Sequence, residues 1–99
     1  MYDLEIKPTA DRIFKKLAKK NRKQLVIISK KITEIRQNPD HRYKHLRKPL
    51  EDFYRVHIDK NFVLIFDIDH LEEVVIIYYF DHHDKVYEWR PKTVDEERS

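Results

Sequence analysis

The stretch FYRVHIDKNF, residues 53–62, alternates Tyr54, Val56 and Ile58 with Arg55, His57 and Asp59. The first set is the apolar face expected of a β-strand, and the second lines up a guanidinium, an imidazole and a carboxylate on the opposite face. Imidazole is the side chain whose ordinary pKa lets it give and take protons near neutrality. Guanidinium is a permanent cation shaped to meet phosphate oxygens. Six histidines occur in 99 residues: His45 precedes this strand, and His82 and His83 follow the last long apolar run. Arg47, Lys48 and Lys60 add cations, and Tyr87 adds a phenol able to stack or to donate a proton. This is the equipment needed to cut an RNA phosphodiester. One group takes the 2′-hydroxyl proton, cations steady the phosphorane, and an acid protonates the leaving 5′-oxygen. On spacing alone, the row Arg55, His57, Asp59 is equally well a solvated strand face.

Other readings of the same residues are more modest. His41 and His70 fit ordinary surface loops, His82 a cap on the sheet, and Tyr87 a core aromatic with a wet hydroxyl. The run DHHD, residues 81–84, with His57 nearby, is the one candidate metal cluster. Adjacent ligands on a short loop converge poorly, and no HxH or HxxxH spacing supports them. The expectation is therefore no metal and no cofactor.

Composition removes several classes of chemistry. With no Cys, disulfide frameworks, cysteine–zinc sites and thiol nucleophiles are absent, in keeping with a reducing cytoplasm. With no Gly, a Walker loop, a dinucleotide fingerprint and a nucleophile elbow are all excluded, since each needs glycine for positive φ or close backbone approach. Turns must come from Asn, Asp and Pro, as at NPD (38–40), DKN (59–61) and DIDH (67–70). No apolar run approaches the roughly 20 residues that span a bilayer, and the N-terminus has no signal-peptide pattern. The expected location is the cytoplasm, with no membrane partner.

The formal charge of +3 conceals an asymmetry. Residues 1–60 hold 17 Lys/Arg against 8 Asp/Glu, a net +9, whereas residues 61–99 hold 4 against 10, a net −6. The basic half is a footprint for a polyanion if its cations share a face.

The elements that must position these groups follow from periodicity. Residues 2–7 alternate as a strand that Pro8 ends. Thr9 is a good N-cap for a helix carrying Ala10, Ile13, Phe14, Leu17 and Ala18 to about Lys20. Asn21 restarts a second helix with Leu25, Ile28, Ile32 and Ile35 on one stripe, and Asn38-Pro39 stops it. A basic loop, 38–52, leads to three strands joined by short turns, an antiparallel meander whose last member is apolar on both faces and should be interior. The order βααβββ predicts an α+β domain over 1–89, with a helix hairpin on one face of a small antiparallel sheet and the other face free. Residues 90–99 read as a polar tail.

The order of elements, the phrase LRKPLEDFYRVHIDKNFVLIFDID and the ending VVIIYYFDHHDKVY resemble the RelE/ParE toxin superfamily over residues 2–88. The resemblance implies the toxin of a two-gene type II toxin–antitoxin module with a microbial-RNase-like fold. RelE-like and YafQ-like members are messenger-RNA endoribonucleases acting on the ribosome and leaving a 2′,3′-cyclic phosphate; ParE-like members poison DNA gyrase. The pattern is most similar to the YafQ-like branch. That branch carries a His in the loop before its YR strand, matched by His45, and a YRxxH element, matched by Tyr54, Arg55 and His57. An acidic and an aromatic position follow, occupied here by Asn61 and Phe62. A His four residues before an aromatic is matched by His83 and Tyr87. Two departures stand out. Asn61 is not a carboxylate, and Val63 occupies the place of an Arg in RelE proper.

The resemblance implies catalytic roles for His57, His83, His45 and Tyr87. It implies substrate contacts by Asn61 and Phe62, beside the phosphate-binding cations Arg55, Arg47, Lys48 and Lys60 read from their charge. It further implies two partners, translated mRNA on the ribosome and a cognate antitoxin held in a hetero-oligomer. The alternatives are a ParE-like gyrase inhibitor, which has no need of the histidines, and a catalytically degraded binding module, favoured by Asn61 and Val63.

Overall fold

Residues 1–91 are described by a computed structural model, and the remainder of the polar tail, 92–99, lies outside the described residues. The expected β-α-α-β-β-β order is present with one addition. The elements are β1 (Asp3–Ile6), α1 (Pro8–Lys20), α2 (Arg22–Gln37), β2 (Lys44–His45), β3 (Tyr54–Ile58), β4 (Phe62–Asp69) and β5 (Val74–His82), followed by a short 3₁₀ turn at Val86–Glu88.

Pro8 opens α1 rather than merely ending β1. Its missing N–H belongs to the first turn, where no intrahelical partner exists, and the N-cap position falls on Lys7, not Thr9. Asn21 serves both helices. Its backbone N–H donates to the Leu17 carbonyl to finish α1, and its side chain accepts from the Gln24 N–H to begin α2. One residue therefore makes the sharp corner that lets both apolar stripes face the sheet.

The five strands form one sheet in the order β1-β5-β4-β3-β2. It is mixed rather than wholly antiparallel, because β1 runs parallel to β5 while the other pairings are antiparallel. The two-helix crossover between β1 and the meander permits that parallel pairing, which no tight turn could. β5 is interior, as its two apolar faces require. With no Gly, the β3–β4 turn takes its positive φ from Asp59 (53°) and Lys60 (68°). The β4–β5 turn lies later than the DIDH run, since Asp67 and Asp69 are within β4; the Asp69 side chain accepts from the N–H groups of Leu71 and Glu72 to shape it.

The first core packs Ala10, Phe14, Ile28, Ile32 and Ile35 of the helices onto Ile58, Leu64, Phe66, Ile68, Val75, Ile77 and Phe80 of the sheet. Each Val, Leu, Ile or Phe among them contributes roughly 1.5–3 kcal/mol through burial. The opposite face, expected to be free, is instead partly covered. Leu46, Leu50, Val63, Ile65, Tyr78, Val86 and Trp89 form a second buried cluster there. A bulge makes it possible: Ile65 pairs with Tyr79 and Phe66 with Ile77, so Tyr78 is an extra residue on β5. Tyr78 and Tyr79 consequently both meet Trp89, Tyr79 stacked at 5.7 Å between ring centres.

Candidate functional site

The uncovered part of that second face is a cleft of about 300 Å³ lined by Leu46, Arg47, Arg55, His57, Val63, His83, Val86 and Tyr87. Three separate segments build it. β3 presents Arg55 and His57, the loop after β2 supplies Arg47, and the end of β5 with the 3₁₀ turn supplies His83 and Tyr87. The floor is Val63, buried directly opposite His57 across the β3–β4 ladder. A small apolar residue there leaves open space between the cations and the imidazoles.

Local bonds aim these side chains. The Arg55 Nε donates to the His45 carbonyl at 3.3 Å, tying the guanidinium to the β2 edge. The Arg47 backbone N–H donates to the Tyr87 hydroxyl at 2.9 Å, and the Arg47 guanidinium lies over the Tyr87 ring, 4.8 Å from its centre. Burial pushes the Tyr87 phenol up. The Arg47 N–H, the Arg47 guanidinium and the charge of Arg55 outweigh it and hold the pKa below the ordinary 10.0. His83 is positioned from its backbone, whose N–H donates to the Asn61 carbonyl at 2.8 Å, and from its ring, whose Nδ1 lies 3.1 Å from an Asp84 carboxylate oxygen. The row through His57 and Val63 continues to Asp81 on β5. Asp81 accepts from the Tyr79 hydroxyl at 2.8 Å. Burial first, then that bond and the Asp81 charge, push the Tyr79 phenol up to about 12.

Of the ten residues singled out from sequence, five share the cleft: Arg47, Arg55, His57, His83 and Tyr87. His45 does not. Its ring packs on Tyr54 at 4.4 Å and lines a separate groove with His41, Tyr43 and His70, so only its carbonyl reaches the cleft's machinery. Phe62 stacks on Phe80 at 5.4 Å and packs against the helix-side core. Asn61 contributes its backbone carbonyl, and Lys60 and Lys48 are exposed in turns outside the cleft lining. Asp84, already part of the DHHD run, places a carboxylate against His83. The poor convergence expected of that run is not what the structure shows: one donor atom from each of His82, His83 and Asp84 lies within 4.8 Å of the others.

Two helices lie on one face of a five-stranded mixed sheet, and cations, imidazoles and a phenol converge on the other, the arrangement of a small α+β domain with one chemically equipped face. The chain matches the ParE toxin of type II toxin–antitoxin system, parDE, over residues 4–87. A relative from Methanocaldococcus jannaschii, provisionally named toxin RelE4, is 55% identical over 87 residues, covering 88% of this chain and 92% of the relative. Among solved structures, the toxin–antitoxin complex RelBE2 from Mycobacterium tuberculosis has a TM-score of 0.68 at 23% identity, covering 83% of this chain and 98% of that one. A metal-bound toxin from Helicobacter pylori has a TM-score of 0.73 at 20% identity, covering 87% of this chain and 99% of that one. The chain belongs to the RelE/ParE family of type II toxins. No helix among the described residues is long and apolar enough to cross a membrane.

Proposed function

We propose that this toxin is a metal-independent endoribonuclease that cuts messenger RNA on the ribosome. The observation that carries the reading is the grouping of two imidazoles, two guanidiniums and a pKa-lowered phenol around one small cleft. A gyrase-binding surface has no use for such a set. One of His57 and His83 takes the 2′-hydroxyl proton as its oxygen attacks phosphorus. The other protonates the 5′-oxygen as that P–O bond breaks, leaving a 2′,3′-cyclic phosphate and a free 5′-hydroxyl. Arg55 and Arg47 carry the developing phosphorane charge in place of the Arg that Val63 replaces. Tyr87 orients Arg47 and stacks against a base or a ribose. His45 acts only through its carbonyl on Arg55.

A cytoplasmic antitoxin partner goes with this reading, its acidic or amphipathic segment laid over the basic grooves. The match to the ParE profile favours gyrase inhibition as the second reading. The test is induction of the wild type and of His83→Ala in growing cells, with transcript ends mapped and plasmid supercoiling followed in parallel. New 5′ ends in translated messages with the wild type alone support cleavage. Intact messages with arrested gyrase overturn it.

A further inference from the structure

Beside the cleft, the end of β5 and the turn after it bring three metal-ligating side chains together, those of His82, His83 and Asp84. The His82 and His83 rings stack with centres 4.5 Å apart. Between their Nδ1 atoms sits the Asp84 carboxylate, one oxygen 3.5 Å from His82 Nδ1 and the other 3.1 Å from His83 Nδ1. All three residues keep access to solvent. A transition ion bound at about 2.0–2.2 Å by nitrogen and oxygen in tetrahedral geometry holds neighbouring donors roughly 3.4 Å apart. Those two distances bracket that spacing and all three donor atoms lie within 4.8 Å of one another, so rotation of the imidazole rings would close the set around an ion. The Asp84 N–H, 3.2 Å from His82 Nδ1, meets that atom's lone pair in the neutral ring; the ion takes its place. Two imidazoles and one carboxylate select zinc, copper or nickel over magnesium or calcium, which prefer all-oxygen shells.

We propose that His82, His83 and Asp84 bind one divalent transition ion, and that the ion switches the cleft off. The regulatory half rests on the cleavage reading above. His83 is the shared residue: it lines the cleft and would ligate through Nδ1. With that nitrogen on the metal, the ring is fixed at the ion beside Asp84 and is no longer free to turn onto a substrate in the cleft, so it leaves the acid–base pair. His82 lies outside the cleft lining and packs edge-on against Phe62 at 5.4 Å, which makes it the informative position to change.

Titration of the full chain with Zn²⁺ alone, followed by calorimetry, should give one ion per chain. Affinity should fall at least tenfold in His82→Phe, which keeps the ring packing, and in Asp84→Ala. Equal affinity in the wild type and both variants overturns the site. In ¹⁵N spectra of the wild type, substoichiometric Cu²⁺ should broaden residues 81–85 first; broadening centred on His41 and His70 overturns it without any variant. Zn²⁺ should slow RNA cleavage by the wild type and spare His82→Phe, which should cut as the wild type does without metal. An ion bound at 82–84 with undiminished cleavage overturns the switch. A wild type that binds zinc there yet cuts no message even in EDTA upholds the site and sinks the cleavage reading.

Discussion

The Tyr87 hydroxyl accepts from the Arg47 backbone N–H at 2.9 Å while the Arg47 guanidinium covers the Tyr87 ring. Forty residues of sequence separate the two, and their contact closes one wall of the cleft. It also makes a pH prediction. Burial acts upward on this phenol, the Arg47 and Arg55 interactions act downward, and the result is a pKa below 10.0. A pKa lowered by folding contributes stability above the unfolded value and loses it as pH falls through the folded one. At neutral pH that contribution is gone. Tyr87→Phe should therefore cost only the hydrogen bond, about 0.5–1.5 kcal/mol, and remove an absorbance titration whose midpoint lies below that of a free tyrosine. An unchanged alkaline titration would disconnect Tyr87 from Arg47.

Arg55 should behave as a substrate contact rather than a proton carrier. Arg55→Ala should weaken RNA or ribosome binding and slow cleavage together, because the phosphate is present in both ground and transition states. Wild-type binding should fall by orders of magnitude across a fourfold rise in salt as phosphate counterions are released. A flat salt titration would argue against any polyanion partner.

The division between what could and could not be read from the chain follows from sequence separation. Both helices, the meander and the two-faced apolarity of β5 are local periodicities, and all are present. Arg55 and His57 share a face because they sit two residues apart on one strand. The covered second face was hidden because it depends on non-local events: Trp89 meeting Phe53, and a bulge that turns Tyr78 out of the alternation. His45 was misplaced for a related reason. β2 is only two residues long, and its pairing with β3, which no local pattern announces, sends that ring onto Tyr54. Pro8 shows a different limit, since one residue can both end a strand and start a helix.

Trp89 tests the covered face. It is buried among Phe53, Tyr78 and Tyr79, so Trp89→Ala should destabilise by about 3–5 kcal/mol. Chemical denaturation would measure it. A loss below 1 kcal/mol would mean that the 3₁₀ turn is only loosely docked, and with it the Tyr87 wall of the cleft.

Asp67 offers a stabilising change away from the cleft. Burial raises its pKa, with Asp69 and Asp52 adding to the rise, while the Ile68 N–H and His45 act against it. A carboxyl whose pKa rises on folding favours the native state below its unfolded pKa. That advantage is lost as pH climbs through the folded value. At pH 7 the charge is thus a burden, and Asp67→Asn should raise the melting temperature by a few degrees while keeping an acceptor for the Ile68 N–H. The gain should vanish below about pH 4, near the ordinary carboxyl pKa. A gain equal at both pH values would assign the effect to packing instead.

The acid–base pair is the most exacting case. If His57 and His83 divide the two proton transfers, either Ala variant should slow cleavage by roughly 10²–10⁴-fold and leave ribosome binding within a few-fold. The double variant should be scarcely slower than the worse single one, because a concerted pair fails as a unit. Cleavage by the wild type should describe a bell in pH near neutrality. It should also survive EDTA, with ribosome integrity controlled, and gain from it if residues 82–84 carry an ion. His45→Ala separates geometry from resemblance. Its ring lies on Tyr54, away from the cleft, and its carbonyl survives the substitution to hold Arg55. Cleavage should fall by less than tenfold, far short of the loss at a proton-transfer residue. A loss at His45 as large as at His57 would mean that the β2 edge turns over when RNA binds, carrying that imidazole into the cleft.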